Sequence, residues 1–311
     1  MLSLVIPNWN GLRYLPTCLD SLRRQRLRNF EIIVADNAST DGSHELLAHD
    51  YPEVRLLALE RNRGFTGACN AGIQAACGAI VVLLNNDTEA APDWLGEIES
   101  AFQRHPDAGM VASRTLLFDR RDTFHTAGDL FYADGVPANR GVWQKDTGQY
   151  EEDYVFSACG ASAAYRRGML QQVGLLDESF FFSCEDVDLA WRAQLQGWRA
   201  VYAPRAVVYH RLSATGSGEI ASFYDGRNTI YVLVKDVPAS VWQRHWRAIV
   251  VRQLRLAWHA LRSWRGRAAR ARLRGQVAGL WALPRLLRMR SAVQSTCSVS
   301  AEYIDSILTP V

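Results

Sequence analysis

Apolar residues fall in short runs that alternate with stretches of helical spacing. Leu2–Ile6 is a continuous apolar run stopped by Pro7, the pattern of a strand buried on both faces. Leu12, Leu15, Leu19 and Leu22 recur at helical intervals, which predicts a helix over Leu12–Leu27. Phe30–Ala35, Val54–Leu59 and Ala79–Leu84 predict three more strands, with a small-residue helix over Gly64–Cys77. Pro92 suits the first position of a helix reaching His105. This alternation predicts an α/β domain with a mostly parallel sheet and helices on both faces. From Ser113 to Tyr154 the rhythm breaks into Gly-, Asp- and aromatic-rich hairpins and long loops. It returns with Val155–Tyr165, then an acidic helix ended by Gly197, then a strand near Arg199–Tyr202. Ser213–Gly218 reads as a mobile loop, and the chain reads as helical from Glu219 onward.

Composition sharpens one part of this picture. Hydrophobic content of 48% and ten Trp place the chain among folded, core-bearing proteins. The net charge of +3 conceals an asymmetry. Thirteen Arg and no acid lie between Val237 and Ala301, and without those Arg the chain has 22 basic against 32 acidic residues. The expected division is therefore an acidic globular part over 1–236 and a basic, helical region over 237–311. On a helical wheel of Ala239–Arg265, six Arg gather on one side. Trp242, Trp246, Ile249, Val250, Ala257, Leu261 and Trp264 gather on the other. That suits an interfacial helix on an anionic membrane. Packing against the acidic globular part, or against a second copy in a homo-oligomer, would use the same apolar side. No nucleic-acid-binding motif accompanies the charge, so no nucleic-acid partner is expected. Six scattered Cys without a CxxC pair suit a reducing compartment. The N-terminus lacks the charge and length of a signal peptide, and no apolar run reaches about 18 residues. A cytoplasmic protein, peripheral on the inner face of the cell membrane, is the expectation.

The polar clusters sit where strands end. Pro7-Asn8-Trp9-Asn10, Asp36-Asn37, Asn62-Arg63-Gly64 and Asn85-Asn86-Asp87 all follow apolar runs. Open α/β sheets bind ligands beyond the carboxyl ends of their strands. Turn formation explains each cluster singly, and their shared position less well. Neither GxGxxG nor GxxxxGK[ST] occurs, which disfavours dinucleotide and P-loop chemistry. Asp87 suits Mg²⁺ or Mn²⁺ beside a ligand diphosphate, and His210, at the end of Ala206–Tyr209, suits Mn²⁺ better than Mg²⁺. On spacing alone, a hydrogen-bonded, half-buried histidine is the favoured account of His210. Phe180-Phe181-Phe182 runs into Glu185-Asp186-Val187-Asp188. Asp188 can pair with Arg192 at i,i+4, whereas Glu185 and Asp186 have no such neighbour. Adjacent carboxylates behind an aromatic wall suit a general base in a dry pocket, and an acidic capping turn fits the same residues.

Five motifs in order carry a family resemblance: Val5–Gly11, Val34–Ser43, Asn62–Gly72, Leu83–Asp87 and Phe182–Leu189. Over roughly residues 2–235 the chain resembles glycosyltransferase family 2, and more narrowly its bacterial rhamnosyltransferase-like branch. The resemblance implies the GT-A fold, a Rossmann-like sheet, and a nucleotide-sugar donor, with 1–236 as the catalytic domain, 1–112 its nucleotide-binding half and 113–236 its acceptor and catalytic half. It implies that Asp36 reads the pyrimidine base with the Pro7–Asn10 turn, and that Asn8, Asn10, Asn37, Asn62, Gly64, Gly67, Asn70 and Asn86 help to hold the nucleotide. Asp87 stands at the metal-binding acid of the DxD motif, here with one carboxylate in Asn85-Asn86-Asp87. His210 matches a position that contacts metal or diphosphate. Asp186, beside Glu185, stands at the catalytic base. The expected activity is inverting transfer from a dTDP- or UDP-sugar, with rhamnose indicated by the branch, to a surface-glycan or polyprenol-linked acceptor. A UDP-sugar hexosyl- or galactofuranosyltransferase and a non-catalytic sugar-nucleotide scaffold are the rival readings.

Overall fold

A computed structural model describes residues 1–212 and 218–311. In chain order the first elements are β1 (Leu2–Asn8), α1 (Leu15–Arg23), β2 (Phe30–Asp36), α2 (Ser43–Asp50), β3 (Arg55–Ala58), α3 (Gly64–Ala75), β4 (Ile80–Leu84), β5 (Thr88–Ala90) and α4 (Trp94–Arg104). Then come β6 (Ala108–Leu117), β7 (Phe124–Thr126), β8 (Asp129–Phe131), β9 (Pro137–Asn139), β10 (Asp153–Val155), β11 (Ser162–Arg166), α5 (Arg167–Val173), α6 (Glu185–Leu195) and β12 (Arg199–His210). Helices follow: α7 (Glu219–Lys235), α8 (Ala239–Arg262), α9 (Arg267–Trp281), α10 (Leu283–Ser295) and α11 (Ala301–Ser306).

The chain packs as two units. The first holds residues 1–129, 139–181 and 198–212. Its sheet runs β10-β12-β6-β11-β4-β1-β2-β3, with β5 added to β12 and β7 to β6. Strands β1 to β4 are mutually parallel, β6 and β12 are parallel to each other, and β11 runs antiparallel between β4 and β6. All six of those parallel strands therefore point one way and end at one edge. Alternate β1 side chains serve opposite faces: Leu4 and Ile6 join Leu15, Leu19, Trp94 and Ile98 in one buried core. Val5 lies on the other face, close under Gly72 of α3.

Several boundaries differ from those the sequence predicts. α1 begins three residues later than expected, because Gly11–Tyr14 forms a turn that carries the chain away from β1. α4 begins at Trp94, not Pro92, which sits in the turn before it. β6 is a ten-residue strand where loops were expected from Ser113. Its Ser113 and Thr115 are polar but buried, and Ser113 Oγ accepts hydrogen bonds from Trp94 Nε1 at 2.9 Å and Ser162 Oγ at 2.8 Å. The strand near Arg199 continues to His210, passing Pro204 with a shift of register between Ala203 and Val207. Residues 213–217 of the expected mobile loop lie outside the described residues.

The second unit holds residues 130–138, 182–197 and 213–311. Its helices α7 and α9 touch backbone to backbone: a Cβ at Gly275 would lie 2.0 Å from the Phe223 carbonyl oxygen, and one at Gly226 2.4 Å from that of Arg272. Phe131 meets Trp191 of α6 edge-on at 5.0 Å. Thr309 exchanges backbone hydrogen bonds with Phe131 and Ala133, and Ser298 N donates to Leu195 O. Among the described residues no helix is long and apolar enough to cross a membrane.

Candidate active site

The edge where the parallel strands end is built from amides. Asn8, wholly buried at the end of β1, donates to Asp36 Oδ1 at 2.8 Å and accepts from Asn86 Nδ2 at 2.7 Å. Three strand ends are thereby tied in a row, β2 to β1 to β4. Asn37 does the same for the next turn, donating to Asn62 Oδ1 and the Gly64 carbonyl at 2.9 Å each and accepting from Arg63 N at 2.8 Å. Gly64 adopts φ 74°, and a Cβ there would lie 2.5 Å from the Phe181 ring, so only glycine fits. Gly67 sits one turn on, against Arg63. Asn10, at φ 50°, accepts from Thr40 N on Oδ1, and its own backbone N–H donates to Ser39 Oγ. Pro7 lies within β1 and pairs with Ala35.

Two of the sequence-selected residues are more committed than their motifs suggest. Asp36 has no exposed surface and accepts from Asn8, from Ser39 N and Oγ, and from His44 Nε2 at 2.7 Å. Burial by itself pushes this carboxyl up, and the hydrogen bonds from Ser39, Asn8 and His44 more than offset it, leaving it below the ordinary range. Asn70 bonds both ways to the Leu176 backbone, at 2.8 and 3.1 Å, and so pins the loop before Phe180.

Asp87 and His210 meet at the same edge. Asp87 follows β4, and His210 ends β12. His210 Nε2 lies 3.2 Å from Asp87 Oδ1, and both side chains are nearly buried. His125, which the sequence reading passed over, lies beneath: its Nδ1 is 3.1 Å from His210 Nδ1. Burial and the neighbouring His210 push His125 down to about 3, so it is neutral at physiological pH. One of the two Nδ1 atoms carries the proton they share. When it is His125's, His210 Nε2–H donates to Asp87; when it is His210's, the Nε2 lone pair is free to accept from Asn85 Nδ2 at 3.5 Å or to ligate a cation beside the carboxylate. Asn85 Oδ1 is a further buried oxygen, without a hydrogen-bond partner among the described residues. A carboxylate, an imidazole nitrogen and an orphaned amide oxygen are a donor set that fits Mg²⁺ or Mn²⁺.

The second unit carries the acidic helix, and its approach is strained. Phe181, Ser183 and Cys184 have φ of 63°, 68° and 64°, left-handed values that cost each non-glycine residue of order 1 kcal/mol. With Asn10 and Ala38, five of the six such residues among the described residues lie in segments that the sequence marks for function. α7 holds the turn: Asn228 Nδ2 donates to the carbonyls of Phe182 and Ser183, and Asp225 accepts from Ser183 Oγ at 2.6 Å. The expected Asp188–Arg192 pair forms at 2.8 Å, and Lys235 of α7 meets the other oxygen of the same wholly buried carboxylate. Glu185 is buried, with Oε2 lacking a hydrogen-bond partner among the described residues. Burial, then the charge of Asp186, pushes it up to about 8. Asp186 is the more exposed of the pair.

Residues 3–174 match the family model for glycosyl transferase family 2. Over 256 residues the chain is 27% identical to the N-acetylglucosaminyl-diphospho-decaprenol L-rhamnosyltransferase of Mycobacterium tuberculosis, covering 74% of this chain and 82% of that one. Two solved structures share its architecture. The mannosyltransferase PcManGT of Pyrobaculum calidifontis, in complex with GDP-Man and Mn²⁺, superposes with a TM-score of 0.57 at 18% identity, over 98% of this chain and 78% of its own. GalNAc-T7 with UDP, GalNAc and Mn²⁺ reaches 0.68 at 16% identity, over 99% of this chain and 56% of its own. These likenesses establish the GT-A fold that the mostly parallel sheet describes. The chain belongs to glycosyl transferase family 2 and is a glycosyltransferase.

Proposed function

We propose that this glycosyltransferase moves rhamnose from dTDP-rhamnose to a hydroxyl of a lipid-linked glycan, with inversion, at the inner face of the cell membrane. The observation that carries the reading is the similarity to the mycobacterial L-rhamnosyltransferase, which extends over most of both chains. Catalysis is assigned to the domain 1–236, with 237–311 as its membrane-facing region.

The nucleotide lies over the amide row. Asp36 takes the imide N–H of thymine in place of His44, a partly exposed partner. Asn10, Asn37, Asn62 and the Gly64–Gly67 turn shape the floor for the nucleoside, and Asn86 fixes the approach of the diphosphate. Asp87 and His210, with Asn85, would hold a divalent cation, which when bound neutralises charge on the diphosphate leaving group. His125 keeps His210 turned toward it.

Asp186 supplies the base. Glu185, pushed up to about 8, is mostly protonated near neutral pH and spares Asp186 a second adjacent charge. As the acceptor oxygen bonds to the anomeric carbon, its proton passes to Asp186. The bond from that carbon to the diphosphate oxygen breaks, and the electron pair leaves with the nucleoside diphosphate. One displacement inverts the centre, and no second carboxylate nucleophile is needed. The test is transfer and donor hydrolysis across a panel of dTDP-, UDP- and GDP-sugars. dTDP-rhamnose should be turned over fastest, and preference for a UDP-hexose would overturn the sugar assignment.

A further inference from the structure

Helices α8 and α9 carry a surface that takes no part in the sugar chemistry. α8 buries Val241, Ile249 and Ala260. It leaves Trp246, Val250, Leu254, Trp258 and Leu261 exposed along one stripe, at spacings of four and three residues. The apolar side expected from the sequence is thus split: Ile249 packs inward, and the stripe stays in solvent. Contiguous apolar surface of this kind marks a contact site.

The stripe runs toward the turn that joins α8 to α9, and there Trp264 becomes one wall of an open cleft of about 860 Å³. α9 supplies the rest, with Arg267, Arg270 and Arg274 along one side and Leu273, Val277 and Trp281 beside them. Trp281 is 82% exposed and Trp264 56%. Arg270 is held in place, its Nη1 donating to the carbonyls of Trp264 and Arg265 at 2.9 Å each. Arg274 reaches Glu219 at 2.6 Å, and that is the cleft's one acid. Arg267 makes no ion pair among the described residues. Of the thirteen Arg between Val237 and Ala301, three are paired with carboxylates there: Arg244 with Asp305, Arg252 with Asp134 and Arg274 with Glu219.

Guanidinium groups, indole rings and aliphatic side chains in one cleft match the layers of a bilayer surface. Arginine meets phosphate, tryptophan settles at headgroup depth, and leucine and valine meet the acyl chains. A sugar ligand would call for acceptors as well as donors, and the cleft offers a single carboxylate. A nucleic acid would leave the Val250–Leu254–Leu261 stripe in water. We propose that the α9 cleft seats the phosphate head of an anionic bilayer phospholipid and that the α8 stripe lies in the same interface. This rests on the reading of a membrane-working transferase and names the residues that meet the membrane.

The experiment is co-sedimentation of the full chain with vesicles of phosphatidylcholine, alone or mixed with phosphatidylglycerol, at low and high salt. The wild-type protein should bind the mixed vesicles at low salt and release them at high salt. Replacing Arg267, Arg270 and Arg274 together with Gln should weaken binding by about a hundredfold. Arg267→Gln alone, at an exposed site without an ion pair, should weaken it several-fold without affecting the fold. Arg13, Arg26 and Arg28 replaced by Gln should leave it unchanged. Equal binding to neutral vesicles, or no loss in the Arg267 and triple variants, would overturn the proposal. So would a lipid-free dimer that the triple substitution dissolves, or tighter binding of a single-stranded oligonucleotide. Vesicle binding needs no donor, so the two readings fail separately. A protein that transfers sugar to a soluble acceptor yet never sediments refutes the docking alone. One that sediments yet transfers from no nucleotide sugar refutes the transferase reading alone.

Discussion

The strand-end row of the first unit and the acidic turn of the second are built on opposite principles. In the row, Asn8, Asp36 and Asn86 satisfy one another, Asn37 is satisfied by Asn62, Arg63 and Gly64, and a neutral amide stands at most positions. In the turn, two of the residues leading into α6 are left-handed, Glu185 Oε2 is buried without a hydrogen bond, and Lys235 and Arg192 converge on Asp188. A satisfied network is rigid. An under-satisfied one holds groups away from their ordinary protonation states. Rigidity and perturbed protonation are thus separated along the chain by the physics of its polar groups.

Breaking the reactive side should give the largest effect. Asp186→Asn should cut turnover by about a hundredfold or more, the scale of losing a general base, with donor affinity retained in calorimetry. Near-normal turnover would move the base elsewhere. Next comes the cation site. Asp87→Ala should weaken nucleoside-diphosphate binding by about tenfold with Mn²⁺ present and far less in EDTA, since a charged ligand is lost only when the ion is there. Equal losses would make Asp87 structural.

The satisfied side should respond in stability. Asn8→Ala leaves Asp36 and Asn86 short of partners in a buried place and should cost about 1–3 kcal/mol in denaturant unfolding. A change near zero would mean that the row is not coupled. The subtlest test concerns Glu185. Its folded pKa, about 8, lies above its unfolded value, so its contribution is fully present below the unfolded pKa. That contribution is lost as pH rises toward and through 8. Glu185→Gln, which cannot ionise, should gain stability relative to wild type between pH 5 and pH 9, read from the midpoints of unfolding. A constant difference across that range would place the ionisation of Glu185 elsewhere.

Legibility in the sequence followed the same division. β1, β2 and β4 were readable to within a residue or two because buried apolar runs have sharp polar ends, and α3 and the more exposed edge strand β3 were readable to the same margin. The strand-end clusters were readable with them, as was the start of α6 and the Asp188–Arg192 pair. β6 was not, because Ser113, Arg114 and Thr115 are polar residues made acceptable inside the sheet by partners distant in sequence. His125 belongs to β7, a strand of three residues, and meets His210 through the pairing of β7 with β6 and of β6 with β12. No local pattern encodes that. Lys235 likewise reads as an ordinary helix residue, and its pairing with Asp188 spans 47 positions.

The fastening of α6 sets an order in time. Leu195 is bonded by Ser298, Gln194 by Tyr303, and the Phe131 segment by Thr309. Every residue of the first unit has been synthesised by Leu212, whereas these clasps follow about a hundred residues later, roughly ten seconds at ordinary synthesis rates. A nascent chain therefore has the sequence of its strand-end row complete while α6 is still without its clasps. Synthesis itself separates in time the completion of the first unit from the fastening of α6.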